Sequence, residues 1–124
     1  MSRPSWNSIP WREQLAWCGG YFSGEGSIFY AHKHSKYYYP TLAIGTTNKE
    51  EIDKFQESVL KLGRIYGPYG KRQSKLGKKP IWRGAAQSLR DAQAVVVMLW
   101  PYLSDYKKAQ AIDAFSRYKK AIRN

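Results

Sequence analysis

Hydrophobic positions recur along this chain with two different periods, and their alternation predicts four helices and four strands. Segments near residues 27–36, 39–47, 64–72 and 80–87 are rich in aromatic and β-branched residues, as half-buried strands are. Apolar residues three and four apart recur in the other segments, as expected of helices that bury one face. The predicted order is helix, two strands, helix, two strands, helix, helix. This order indicates an α+β fold with one sheet and helices on one of its faces.

Polar capping residues and helix breakers define the ends of the predicted helices. The first helix should run to about Ser23, the second should end at Gly63, and the third should stop at Pro101. The predicted caps are Ser8 with Pro10 in the first turn, Asn48 with Glu51, Ser88 with Asp91, and Ser104.

Apolar stripes predict which helix faces are buried in the second and the last helix. Both stripes follow the spacing of a helix that packs on one side. Their members are Ile52, Phe55, Val59 and Leu62 in the second helix and Ile112, Phe115, Tyr118 and Ile122 in the last.

The first helix carries an almost bare stripe that ends in a carboxylate. The segment LAWCGGYFSGEGSI, residues 15–28, places small residues at i, i+4 and i+8, which share one helix face. Such a face allows another backbone to approach closely, and Glu25 stands at its end between two glycines. We therefore expect a tightly packed helix pair that presents an acid at its tip. The small residues are Ala16, Gly20 and Gly24, with Gly19 and Ser23 beside them.

Composition favours a nucleic-acid partner for a single small domain. The chain has 124 residues, 21 of them basic and 9 acidic, which gives a net charge of +12. A single cysteine, Cys18, excludes an internal disulfide framework and is typical of a reducing compartment. No apolar run approaches the roughly 20 residues of a membrane span, and no signal or transit peptide is evident. We expect an intracellular, soluble protein of unassigned compartment, with an arm at residues 1–8 and one domain at 9–124.

The acids are absent from all four predicted strands. No Asp or Glu lies between Glu25 and Glu50, or between Glu57 and Asp91, whereas Lys and Arg are frequent in both gaps. Since helices should cover one face of the sheet, the other face is predicted to be wet and positive. A positive ribbon of strands suits a DNA groove, where Lys and Arg meet phosphates and guanine edges.

Residues 18–26, CGGYFSGEG, resemble the LAGLIDADG motif of homing endonucleases. The match holds at Gly20, Gly24, Glu25 and Gly26, while Ser23 replaces the first Asp of the motif. The resemblance covers essentially residues 9–122. It implies the αββαββα fold of that family, with an antiparallel four-stranded sheet. The motif occurs once in this chain, so a second copy of the chain is needed to complete the site.

The resemblance also implies the residues that act. Glu25 is the metal-binding acid, with Gly24 beside it, and the implied cofactor is Mg²⁺ or Mn²⁺. Asn48 and Lys107 match positions near the attacking water and the scissile phosphate, with Lys108 as an alternative to Lys107. The implied homodimer interface consists of Ala16, Gly19, Gly20, Ser23 and Gly24. Alternation along the strands selects the outward residues, and the register of the family would aim the face of Ser27, Phe29, Ala31 and Lys33 at DNA. The predicted DNA contacts are Ser27, Lys33, Tyr39, Thr41, Thr47, Tyr69, Lys71, Arg72, Arg83 and Gln87.

The sequence therefore predicts a homodimeric homing endonuclease that makes a double-strand break in a long, near-palindromic DNA site. The resemblance implies a role in the mobility of an intron or intein-like element. One alternative is a non-cleaving relative, either an intron maturase or a DNA-binding module. Another is a basic RNA-binding protein of a different fold.

Overall fold

The computed structural model of the chain describes residues 5–32, 38–69 and 80–123. Its four strands form one antiparallel sheet in the order β1-β2-β4-β3, which confirms the predicted α+β architecture. Residues 1–4 of the predicted arm, the predicted turn at 33–37 and the linker at 70–79 lie outside the described residues. The elements are a 3-10 turn at Trp6–Ser8, α1 (Trp11–Glu25), β1 (Gly26–His32), β2 (Tyr38–Thr46), α2 (Lys49–Ser58), β3 (Arg64–Tyr69), β4 (Ile81–Ala86), α3 (Leu89–Leu99), a 3-10 turn at Trp100–Tyr102, and α4 (Asp105–Arg123).

One face of the sheet carries the core. Ile28 on β1 pairs with Leu42 on β2, and Leu42 pairs in turn with Ala86 on β4; all three side chains are buried. Helix residues such as Phe22 and Ile52 complete this core. Since side chains alternate along a strand, the residues between them point to the opposite, outer face. The residues on this outer face include Phe29, Thr41 and Ala43.

Helix α1 starts later and ends later than predicted. The predicted Ser8 cap is wrong: the Ser8 hydroxyl donates to the Ser5 carbonyl within the 3-10 turn, and α1 follows Pro10. At the other end, α1 continues through Glu25, and β1 begins at once at Gly26. A Cβ at Gly26 would lie 2.4 Å from the Phe22 ring, so this abrupt junction requires a glycine.

The predicted caps of α2 and α3 are confirmed. The Glu51 N–H donates to Asn48 Oδ1, and the Asp91 N–H donates to Ser88 Oγ. The predicted end of α2 at Gly63 is wrong, because the helix ends at Ser58 and Leu60 and Lys61 adopt positive φ angles.

The predicted buried face of α4 is wrong at two of its four positions. Ile112 is 59% exposed and Ile122 is 64% exposed. The face that packs on the sheet instead carries small Ala111 and Ala114, which let the helix approach the strands closely. Phe115 and Tyr118, also on the predicted face, are partly buried.

Two side chains, Cys18 and Trp6, complete the description of the packing. Burial raises the pKa of Cys18 to about 12, so its side chain is a neutral thiol in the core at pH 7. The Trp6 indole donates to Ser58 Oγ at 2.8 Å and packs edge-on against Trp17, which fixes this part of the predicted arm on the domain.

Among the described helices, none has the length and apolar character needed to cross a membrane.

Candidate acidic site and nucleic-acid interface

Glu25 lies at the rim of a concave surface where α1 meets the sheet. Gly26 pairs with Ile44, and Glu25 directly before it lines the same concavity as Gly45. Gly45 in turn pairs with Arg83 on β4. We call this concavity the acidic pocket; its walls include Glu25, Gly45, Thr47, Asn48 and Arg83. The fold therefore brings together the predicted acid, the predicted polar residue Asn48 and two predicted DNA contacts.

Glu25 itself is exposed at the end of α1. Within the described part of the chain its carboxylate makes neither a hydrogen bond nor an ion pair. Its oxygens are therefore available to a ligand that enters the pocket.

Asn48 has a structural task in the acidic pocket as well. Its Oδ1 accepts from the Glu51 N–H, and its Nδ2 donates to Glu51 Oε1, each at 3.2 Å. Its own N–H donates to Thr46 Oγ1 at 3.0 Å. This capping box fixes the start of α2 and holds the Asn48 amide beside the pocket.

Tyr21 lies one helical turn before Glu25 and stacks on Trp17 with ring centres 4.8 Å apart. Burial raises the pKa of the Tyr21 hydroxyl, and the negative charges of Glu51 and Glu25 raise it further. A polar contact with Thr46, which falls short of hydrogen-bond geometry, lowers it. The side chain is therefore a neutral phenol, and Glu25 supplies the negative charge at this end of α1.

The bare stripe of α1, formed by Ala16, Gly20 and Gly24, faces outward. All three residues are exposed. A Cβ added at Gly20 or Gly24 would meet nothing within 4 Å. The stripe is therefore open to a second backbone along its whole length.

The two other small residues of the predicted interface face the interior of the chain. Gly19 is buried, and a Cβ there would lie 2.3 Å from the Tyr102 Cβ. The Ser23 hydroxyl donates to the Gly19 carbonyl and accepts from the Ser104 N–H at 2.9 Å. Gly19 and Ser23 thus fix the segment before α4 against α1, and do not extend the open stripe.

This attachment sets the position of Lys107. Ser104 caps α4 by accepting from the Lys107 N–H, and Gln110, one turn on, accepts from the Ile28 N–H of β1. Lys107 is only 7% exposed on the face of α4 that packs on the domain, whereas the Lys108 ammonium lies 5.5 Å from the Trp100 ring centre. Of the two candidate lysines, Lys107 is the more buried, and its ammonium lies 5.2 Å from the Tyr106 ring centre. It does not line the acidic pocket.

The outer face of the sheet forms a shallow trough. Small residues, Ala43 and Ala85, pair across β2 and β4 and form its floor. Phe29 rises on the β1 side, and Arg64 and Tyr66 rise on the β3 side. The described strands contain no acid, so the positive outer face predicted from the sequence is present in this part of the chain.

The predicted DNA contacts are distributed unequally over this face. Thr41, Tyr69, Arg83 and Gln87 line the trough, while exposed Ser27 and Thr47 lie on the same outer face. Tyr39 rests against Tyr118 of α4, with ring centres 6.0 Å apart. The other predicted contacts, Lys33, Lys71 and Arg72, lie outside the described residues.

Sequence reasoning missed Phe29, Arg64 and Tyr66 as trough residues. Phe29 could have been found by alternation from Ser27, since both occupy the predicted outer face. Arg64 and Tyr66 could not, because an irregularity between Tyr66 and Tyr69 shifts the register of β3 against β4.

The donor set of the acidic pocket fits a hard divalent cation only in part. Glu25 offers carboxylate oxygens to the pocket. Gly24 precedes it in the chain and does not line the pocket, although a backbone carbonyl is an oxygen of the kind that Mg²⁺ prefers. Within residues 5–32, 38–69 and 80–123, no three His, Cys, Asp or Glu side chains cluster as a metal site would require. Further oxygens would have to come from a substrate phosphate or from a second chain.

Comparison with solved structures identifies this arrangement. I-CvuI, crystallised with the I-CreI target and Mg with the DNA not cleaved, matches with a TM-score of 0.65 and 16% identity over 82% of this chain. I-GzeII, a LAGLIDADG homing endonuclease in complex with its DNA target, matches with a TM-score of 0.60 and 20% identity over 88% of this chain. The chain has the LAGLIDADG homing endonuclease fold.

The LAGLIDADG fold confirms the architecture expected from residues 18–26. I-CeuI, a group I intron-encoded homing endonuclease complexed with DNA, has the same fold, with a TM-score of 0.59 and 17% identity over 87% of this chain. The chain spans 62% of I-CvuI, 53% of I-CeuI and 35% of I-GzeII. No protein-family profile and no curated protein sequence matches it.

Proposed function

We propose that this protein is a homodimeric homing endonuclease that makes a double-strand break in a long, near-palindromic DNA site. The observation that carries the proposal is the position of Glu25. Its carboxylate, which has no ion-pair partner among the described residues, stands where the open stripe of α1 ends and where the acid-free trough begins. DNA bound along the outer face of the sheet would thus reach an acid at the site where a second chain can dock.

The dimer is supported by the open stripe. When the Gly20 and Gly24 stripes of two chains cross, their backbones can approach without side-chain collision, because both positions have free space around an added Cβ. The two-fold axis then passes between the helix ends, and each chain contributes one Glu25 to a shared centre. Two-fold symmetry of the protein implies a correspondingly symmetric DNA site.

The chemistry proposed for this centre is hydrolysis of a phosphodiester. A divalent cation, Mg²⁺ or Mn²⁺, when bound, would stabilise the negative charge that develops on the phosphate and its leaving oxygen. Glu25 would hold such a cation, together with the Gly24 carbonyl. Arg83 at the same pocket supplies positive charge that attracts the DNA backbone. Asn48 is positioned to orient a water through its amide.

The neighbouring structures also suggest a biological role. I-CeuI is described as group I intron-encoded, and a further structural match, I-Vdi141I, is an archaeal intron-encoded homing endonuclease complexed with DNA. We propose the same role, the mobility of an intron or a similar element, for this chain.

A change at Lys107 should distinguish it from its neighbour. We expect Lys107→Met to slow cleavage about a hundredfold, because the positive charge that the family resemblance assigns to the scissile phosphate would be lost. Lys108→Met is the matched control. It should leave the rate nearly unchanged, since the Lys108 ammonium packs over the Trp100 ring. Single-turnover cleavage rates check this prediction. Equal losses of cleavage rate in both variants would mean that the overall positive charge of the protein, and not the position of Lys107, accounts for the effect.

A change at Asn48 should separate its two tasks. Asn48→Ala and Ser88→Ala each remove a helix cap, and each should lower the free energy of unfolding by about 1 kcal/mol. Only Asn48→Ala is expected to slow cleavage as well, by about 10- to 100-fold, because Ser88 lies away from the acidic pocket. Urea unfolding and cleavage assays on both variants test this. A Ser88→Ala variant as slow as Asn48→Ala would show that capping alone accounts for the loss.

The proposed activity is tested by selecting cleaved sites from a pool of random double-stranded DNA, with Mg²⁺ and with EDTA. We expect a defined, nearly palindromic site to be cut on both strands only when Mg²⁺ is present. Binding without cleavage at any Mg²⁺ concentration would contradict the nuclease and favour a non-cleaving relative. Preference for single-stranded RNA over duplex DNA would contradict the proposal altogether.

A further inference from the structure

Gln87 carries an unsatisfied donor in the trough. Its Nε2 is buried and has no hydrogen-bond partner among the described residues. A buried amide without a partner is unfavourable, and such groups are rare unless a ligand completes them. Gln87 lines the trough together with Phe29 and Thr41, so a rotation of its side chain would bring the buried Nε2 to a partner on the outer face of the sheet.

The register of the sheet places Gln87 in one row with an apolar ring. Ala86, the last residue of β4, pairs with Leu42, and Gln87 directly after it lines the trough together with Thr41. Thr41 pairs in turn with Phe29. Gln87 and Phe29 are therefore separated by two strand spacings, about 10 Å. This separation fits within the roughly 12 Å width of the DNA major groove.

The same register gives the distance of this row from the acidic pocket. Glu25 lines the acidic pocket with Gly45, and Gln87 lines the trough with Thr41, four residues away along β2. Four residues of a strand span about 14 Å, which corresponds to about four base-pair steps at 3.4 Å each. A base that contacts Gln87 would thus lie about four base pairs from the phosphate next to Glu25.

The chemistry of the row selects one base pair. A side-chain amide can bond both N7 and the N6 amino group of adenine, whereas guanine is matched by Arg. Phe29 adds an apolar surface, which suits the methyl group of thymine. Arg64 and Arg83 lie in other rows, opposite Ala85 and Gly45, so they do not compete for this position.

We propose that Gln87, with Phe29 in the same row, reads an adenine·thymine pair about four base pairs from each cut. The inference rests on the proposed function for the location of the cut. The assignment of one base pair to one row comes from the sheet register and from the unpartnered amide.

The test is a selection of bound sites from random duplex DNA without Mg²⁺, followed by mapping of the cuts with Mg²⁺. Wild type should favour adenine at one symmetric pair of positions by about 10- to 100-fold over the other bases. Gln87→Arg should change this preference to guanine at those positions only, and Gln87→Glu should change it to cytosine. The matched control is Gln93→Arg, which adds the same charge at an exposed site on α3 outside the trough and should leave the selected site unchanged.

The outcomes separate the inference from the proposed function. A selected site without the adenine preference, or a Gln87→Arg variant that changes no single position, would overturn the inference even if the DNA is cut. A site that is bound and altered as expected but never cut would overturn the nuclease proposal and leave the assignment of Gln87 in place. Thermal unfolding of each variant reveals any loss of folding, and Gln87→Glu, close in size to the native residue, provides the second variant.

Discussion

Glu25→Gln is expected to reduce the rate of DNA cleavage by at least about a thousandfold while leaving DNA binding within a fewfold of wild type. The substitution keeps the shape of the side chain and removes its negative charge. Glu25 is exposed and makes no hydrogen bond or ion pair within the described residues, so its loss should not weaken the fold. The measurement is the single-turnover cleavage of a selected site, alongside binding at the same salt concentration.

Glu13→Gln is the matched control for this change. Glu13 is an exposed acid in the first turn of the same helix, at the end opposite the acidic pocket. The variant carries the same change in net charge and should cleave DNA as wild type does. Cleavage by Glu25→Gln at a rate near that of wild type would remove Glu25 from the proposed chemistry.

The second large effect is expected at the adjacent residues Gly19 and Gly20. A substitution at one should lower stability, and a substitution at the other should abolish the dimer. Gly20→Leu should leave the chain folded, because an added Cβ meets nothing within 4 Å and leucine favours the helix. It should abolish the dimer, and with it cleavage, because the new side chain fills the open stripe. Gly19→Ala should lower the free energy of unfolding by about 2 kcal/mol, since its Cβ would lie within 2.3 Å of the Tyr102 Cβ.

Sedimentation and chemical unfolding distinguish the two variants. Gly20→Leu should sediment as a monomer with a cooperative unfolding transition, and Gly19→Ala should remain a dimer below its lowered unfolding midpoint. If Gly20→Leu stays a dimer at micromolar concentration, the interface lies elsewhere. If Gly19→Ala is as stable as wild type, Tyr102 has moved to accept the new atom.

The sequence was sufficient to predict the element order and the local signals of the helices. Asn48 and Ser88 cap their helices as expected because capping depends on residues within one turn. The end of α2 was misplaced because Leu60 and Lys61 adopt left-handed backbone angles that are disfavoured for such residues.

The roles of the small residues of α1 and the buried face of α4 could not be predicted, because they depend on contacts between distant segments. The five small residues of α1 look equivalent in sequence, yet Gly19 and Ser23 contact the segment before α4 while Gly20 and Gly24 are open. The buried face of α4 was misjudged because hydrophobicity favours large Ile112, whereas close packing on the sheet selected Ala111 and Ala114. Periodicity within one helix carries neither piece of information.

The central claim is that each of two chains supplies one Glu25 to a shared site. It is tested most directly by co-expressing wild type with Glu25→Gln in equal amounts and measuring the total number of strand cuts, single-strand nicks plus double-strand breaks, against the same total of wild type. If subunits pair at random and both acids are required, the rate should fall to about one quarter. A rate near one half would mean that each chain cuts independently, which would contradict the shared site.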